Sequence, residues 1–176
     1  LSVWHKPRVI GSAENFPQHI ALPRGCLEPA VALLKSNGIR CEIDDERHVG
    51  DRLAVSFMGA LRLDQEVAVT AMLRSDFGVL CAPTAFGKTV TAAALIARRG
   101  VNTLVLVHRT ELLKQWQERL RAFLGVGKDV VGTIGGGKTK PTGKIDIAVM
   151  QSLSRKGEVD ALVERYGHVI VDECHH

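Results

Sequence analysis

Two stretches of the 176-residue chain carry the residue types that wrap a phosphate. Gly132 to Thr139 reads GTIGGGKT and satisfies the pattern G-x-x-x-x-G-K-[ST] at every position. Ala82 to Thr89 reads APTAFGKT and fails it at the first position, where Ala82 replaces glycine. The chemistry in either case is anion binding: backbone N–H groups curl round the phosphates, a lysine reaches their terminal oxygens, and a Ser or Thr hydroxyl holds Mg²⁺. A third stretch, HVIVDECHH, ends an apolar run in two carboxylates, Asp172 and Glu173. Asp172 can hold Mg²⁺ and Glu173 can orient and deprotonate an attacking water. Carboxylates at a strand end are common by themselves; with a phosphate loop 84 positions upstream (172 minus 88) they read as the second half of a nucleotide site.

Which loop serves is decided by the elements around it. A phosphate loop sits between a strand and the N-terminus of a helix, whose dipole favours anions. GVLCA precedes Pro83, and Lys88 is followed by Ala92, Ala93, Ala94, Leu95 and Ala97, strong helix formers. Lys138 is followed by Lys140, Pro141, Thr142 and Gly143, which break a helix within its first turn. The imperfect loop, Pro83, Thr84, Ala85, Phe86, Gly87, Lys88 and Thr89, is therefore the nucleotide loop. Gly87 sits where backbone and phosphate come closest, and Phe86 must turn its ring outward.

The rest of the chain supplies a frame. From about Gly59 helices and strands alternate, the sign of a parallel α/β sheet. LDQEVAVTAMLR, GKTVTAAALIARRG, RTELLKQWQERLRAFLG and EVDALVERY read as helices, and GVLCA, NTLVLVH, DIAVM and HVIVD as buried strands. In the third helix Leu112, Leu113, Trp116, Leu120 and Phe123 face inward. Residues 1–58 read as a small α+β unit, with a strand at QHIAL, a helix from Cys26 to Gly38, and strands at IRCEIDD and RLAVSF. The domain boundary is placed between 58 and 59.

Composition is that of an ordinary globular protein, 45% hydrophobic and 24% charged. No apolar run approaches the roughly 18 residues that cross a bilayer, so no membrane role is expected. The N-terminus has no signal-like apolar core and no initiator Met, so the chain reads as a cut piece of a cytoplasmic protein. Cys26, Cys41, Cys81 and Cys174 form no C-x-x-C pair; reduced thiols and no structural zinc are expected. The net charge of +4 lies wholly in residues 59–176, with sixteen Lys/Arg against twelve Asp/Glu. Residues 135–144, GGGKTKPTGK, hold three lysines and no acid, which suits a phosphate backbone as well as plain solvation.

APTAFGKT followed by VDECHH resembles motifs I and II of the superfamily 2 DEAD/DEAH-type helicases, whose second motif is D-E-x-H. LRLDQ, LVLVHRTELLKQW and IAVMQSLSRK resemble the segments that in this family contact adenine and nucleic acid, and the XPB-like and restriction-enzyme helicases are the nearest branch. The resemblance implies a RecA-like first domain, incomplete after motif II, preceded by a small module that resembles a DNA-recognition domain. It implies ATP and Mg²⁺ as cofactors, with Gln65 on adenine, Lys88 on the β/γ phosphates, Thr89 and Asp172 on Mg²⁺, and Glu173 on water. It implies DNA, double-stranded or a junction and read without sequence preference, as partner of Arg109, Gly135, Gly136, Lys138, Lys140, Gln151 and Ser152.

The family's second RecA-like domain, with its arginine fingers, lies outside these residues; such an arginine is worth about 10³ to 10⁵ in rate. Weak ATP binding, poor hydrolysis and no unwinding are expected of this chain alone. An RNA helicase, a DNA-binding module with a vestigial ATP site, and a P-loop kinase are the other readings the residues leave open.

Overall fold

The computed structural model describes residues 12–137, 139–155 and 158–174. The chain divides into two compact units, Leu1–Glu46 and Arg47–His176. In the first, β1 (Glu14–Asn15) pairs antiparallel with β2 (Ile20–Ala21), and a short 3₁₀ turn leads into α1 (Leu27–Ser36). α1 buries none of its residues. The expected strand IRCEIDD does not form: Ile39 and Ile43 stand exposed, and alternation without a pairing partner leaves its backbone irregular.

The second unit is α/β, as expected. α2 (Leu63–Leu73), α3 (Lys88–Arg99), β3 (Thr103–Val107), α4 (Thr110–Leu124), β4 (Val131–Ile134) and β5 (Ile145–Val149) follow in order. A short antiparallel pair, β6 (Ser154–Arg155) with β7 (Glu158–Val159), and β8 (His168–Val171) complete it. The main sheet runs β4-β5-β3-β8, and every pairing in it is parallel. β3, β4 and β5 are apolar because both their faces are covered, while β8 at the edge leaves Val169 and Val171 exposed. Val105, Val107, Ile145, Ile147 and Val149 pack with Ala92, Ala93 and Ile96 of α3 and with Leu113, Trp116, Leu120 and Leu124 of α4. Leu104, Ile134 and Ala148 point the other way, onto Leu153 and Tyr166.

The helices end where glycine allows it. Gly100 and Gly125 adopt left-handed φ of 63° each, and their N–H groups return to Ile96 and Arg121.

Further sequence expectations are corrected. GVLCA forms no strand; Val79 is exposed, and strand character needs a ladder that 78–82 lack among the described residues. RLAVSF alternates correctly, with Leu53, Val55 and Phe57 inward, yet it makes only an isolated bridge from Arg52 to Val101. These residues, placed in the first module by sequence, pack with the core of the second unit. EVDALVERY is a 3₁₀ turn (Ala161–Arg165) started by the Asp160 carboxylate rather than an α-helix. β4 was not expected; Gly132 lies inside it because a Cβ there would run into Asp146 Oδ1 and the Lys140 carbonyl.

Candidate nucleotide and nucleic-acid site

In a parallel sheet every strand delivers its next residue to the same edge, and ligands bind outside that carboxyl edge. β3 is followed by His108 and Arg109, β4 by Gly135, β5 by Met150, Gln151 and Ser152, and β8 by Asp172 and Glu173. Arg109, Gly135, Gln151, Ser152, Asp172 and Glu173, six of the residues singled out by sequence, therefore converge on one edge.

The loop from Pro83 opens α3 directly: Gly87 is its N-cap with φ 87°, and no side chain caps the helix. The first-turn N–H groups of a helix have no acceptor within it, so they face whatever the loop encloses. Phe86 N–H donates to the Pro83 carbonyl at 3.2 Å, closing the turn, and Ala85 holds a left-handed φ of 66°. A Cβ on Gly87 would stand 2.6 Å from Gln65 Nε2, so glycine is required there.

α2 braces this loop. Gln65, only 3% exposed, donates through Nε2 to the Phe86 carbonyl at 2.7 Å and accepts the Arg62 N–H at Oε1 at 2.9 Å. Arg62 Nη2 donates to the same carbonyl at 2.9 Å, and its guanidinium lies 5.8 Å from the centre of the Phe86 ring. Arg62 was not singled out by sequence; its position three before Gln65 was the only signal.

Lys88 and the end of β8 meet. Lys88 Nζ donates to Glu173 Oε1 at 2.8 Å. That hydrogen bond raises the lysine's pKa above its ordinary value against partial burial, and the charges of Glu173 and Asp172 add to it. Glu173 has a left-handed φ of 54°, a conformation non-glycine residues adopt at cost and hold where a site demands it. Asp172 donates its N–H to the Leu106 carbonyl at 2.9 Å, and its Oδ2 accepts the indole N–H of Trp116 at 2.9 Å. Trp116 was read as core, which it is at 4% exposed, but its polar edge faces the site.

The second phosphate-like stretch has no helix behind it. It is β4 followed by a turn, closed as a hairpin by mutual hydrogen bonds between Thr133 and Lys140 of 3.2 and 2.8 Å. Gly135 and Gly136 take φ of 95° and 66°. A Cβ on Gly135 would run into Ser152 Oγ, and one on Gly136 would stand 2.8 Å from Thr110 Cγ2 and 3.0 Å from Leu113 Cδ1. Gln151 Nε2 reaches the His108 carbonyl at 3.5 Å. The structure so brings together Arg109, Gly135, Gly136, Gln151 and Ser152, with Lys140 exposed at the hairpin's return; Lys138 lies outside the described residues.

The donor set fits a magnesium nucleotide. A glycine that only an uncrowded backbone satisfies, an uncapped helix start, a lysine and two carboxylates are what phosphates and a hard cation require. The sheet and site define a RecA-like P-loop domain. Residues 59–176 match the family described as Type III restriction enzyme, res subunit, and the chain belongs to it.

The chain is 33% identical to the DNA 3'-5' translocase XPB2 of Sulfurisphaera tokodaii, over 77% of this chain and 30% of that one. It is 32% identical to the putative DNA 3'-5' helicase Rad25 of Halobacterium salinarum, over 84% of this chain and 25% of that one. The chain thus spans a third or less of these two relatives. The crystal structure of the UvsW helicase from bacteriophage T4 shares the fold, with a TM-score of 0.64 at 19% identity, over 88% of this chain and 62% of that one.

Proposed function

We propose that the protein is the nucleotide-binding first part of an ATP-dependent DNA helicase or translocase, gripping the DNA backbone beside the ATP site. One observation carries this reading: the Lys88–Glu173 contact of 2.8 Å, which joins the phosphate loop to the carboxylate pair from 85 positions away.

The N–H groups of Thr84 to Gly87 and the start of α3 would hold the phosphates, with Pro83 shaping the turn and Gln65 turned to adenine. Lys88 would take the β/γ phosphates, and Thr89 and Asp172 the Mg²⁺. Bound MgATP supplies the cleavable phosphoanhydride. Lys88 exchanges Glu173 for phosphate oxygens, and Glu173, released, accepts the proton of the attacking water. Arg109, Gly135, Gly136, Gln151, Ser152 and the lysines at 138 and 140 would follow DNA phosphates, contacts that position without reading sequence. A second RecA-like domain would have to complete the motor. The four free cysteines support work in a reducing, cytoplasmic setting. DNA is preferred to RNA because the relatives named above are DNA enzymes.

Binding of labelled ATP tests the reading. Lys88→Ala abolishes it and Lys138→Ala with Lys140→Ala leaves it, while the latter pair weakens DNA binding and flattens its salt dependence. Loss of ATP binding on changing Lys138 and Lys140 would show the wrong loop was chosen.

A further inference from the structure

We propose that Trp116 is a positioning residue for the cation-binding carboxylate, and that α4 thereby links nucleic-acid contact to cation binding; this rests on the function proposed above. An indole N–H is a donor only and is costly to bury without an acceptor. Trp116 is buried in the α4 face of the core, where a wholly apolar side chain would pack without a polar debt, and its one donor ends on Asp172 Oδ2. A carboxylate has about four lone-pair positions. One bond from a rigid ring fixes its plane and leaves acceptor capacity for a cation, the role that groups behind a metal ligand take.

The same helix touches the other half of the site. Arg109 is its N-cap, and Thr110 and Leu113 of its first turn form the wall against which Gly136 packs without room for a side chain. Trp116 lies seven residues beyond Arg109, about 10 Å along the axis. A rigid helix that abuts the glycine turn at one end and holds Asp172 two turns later cannot shift at one without moving the other. By linkage, whatever DNA does to cation affinity the cation does to DNA affinity.

The experiment titrates Mg²⁺ into the protein with fluorescently labelled ADP, read as anisotropy, with and without a single-stranded oligodeoxynucleotide. Trp116→Phe raises the Mg²⁺ midpoint about tenfold. The oligonucleotide shifts that midpoint in the unaltered protein and not in the variant. Equal midpoints in both proteins, or equal shifts, overturn the proposal.

A second measurement does not depend on how Trp116→Phe folds. The chain has two tryptophans, so Trp4→Phe leaves Trp116 as sole emitter. Its emission changes when Mg²⁺ and ADP are added together, and Asp172→Ala removes the change; an unaltered emission in Trp4→Phe overturns the proposal. Failure of the underlying reading looks different: the unaltered protein then shows no anisotropy change at any Mg²⁺ concentration, and both proposals fall.

Discussion

Lys88 Nζ and Glu173 Oε1 lie 2.8 Å apart, so the lysine proposed for phosphate and the carboxylate proposed for water neutralise each other. Both side chains keep about a third of their surface exposed, at 39% and 30%, which makes the pair easy to open. On the proposed reading, Glu173→Gln removes the charge that competes with phosphate and the base that takes the proton. It is expected to bind labelled ATP at least as tightly as the unaltered protein and to lose hydrolysis in the complete enzyme. Weakened binding in equilibrium titration would show that Glu173 holds Lys88 in place rather than competing for it.

Gly87 and Ala85 predict opposite signs for exchanging glycine and alanine in one loop. Gly87→Ala forces a left-handed φ on alanine and drives Cβ to 2.6 Å from Gln65 Nε2, so a loss of about 2 kcal/mol is expected along with nucleotide binding. Ala85 already pays for φ 66°. Ala85→Gly relieves about 1–2 kcal/mol of that conformation against about 0.4–1 kcal/mol of added chain entropy, for a net gain of about 0.5 kcal/mol. Urea midpoints of the two variants check both signs.

These two positions show what a sequence can reveal of such a loop. The helix after Lys88 was legible because alanine and leucine follow a glycine start, and the absence of one after Lys138 because proline and glycine do. α4 was legible from its apolar spacing. GVLCA was not, because its apolar run says nothing of whether a strand lies beside it. RLAVSF shows the division cleanly: its alternation was legible and matches Leu53, Val55 and Phe57 packing inward, while the backbone partners came from elsewhere, Leu53 N–H donating to the Gly100 carbonyl and Met58 N–H to that of Phe123. The site's carboxylates and lysines were readable as types. Their supports, Arg62 on Phe86 and Trp116 on Asp172, come from long-range packing that no local spacing encodes.

Asp146 anchors the return of the lysine-bearing hairpin. Fully buried in β5, it accepts Thr142 N–H at 2.8 Å, Gly143 N–H at 2.7 Å and the Tyr166 hydroxyl at 2.7 Å. Burial, then the bond to Asp146, pushes the Tyr166 phenol pKa up, so it stays a donor. Asp146→Asn turns an N–H toward donors whichever way the amide sits, and a loss of about 2–4 kcal/mol is expected. Tyr166→Phe costs about 1–2 kcal/mol, and the double variant costs less than the two singles added, because they share one carboxylate. Additive losses in denaturant titration would show that the two residues do not act through each other.

His168 makes stability depend on pH. Its Nδ1 lies 3.2 Å from Thr103 Oγ1, whose own hydrogen goes to the Val101 carbonyl at 3.0 Å, so the ring donates from Nδ1 and Nε2 is the site that would be protonated. Burial lowers its pKa to about 4, and the charge of Arg99 pushes in the same direction. An unfolded chain takes up this proton below about 6.5 and the folded chain only near 4. Between those values unfolding binds a proton, so the stability present above pH 6.5 is lost as pH falls, by up to about 1.4 kcal/mol per unit. His168→Gln cannot titrate, and its urea midpoint should fall less than that of the unaltered protein between pH 7.5 and pH 5. The carboxylates are common to both proteins, so the difference between the two slopes belongs to His168. Parallel slopes would mean that the imidazole takes up its proton at the same pH in the folded and unfolded chain.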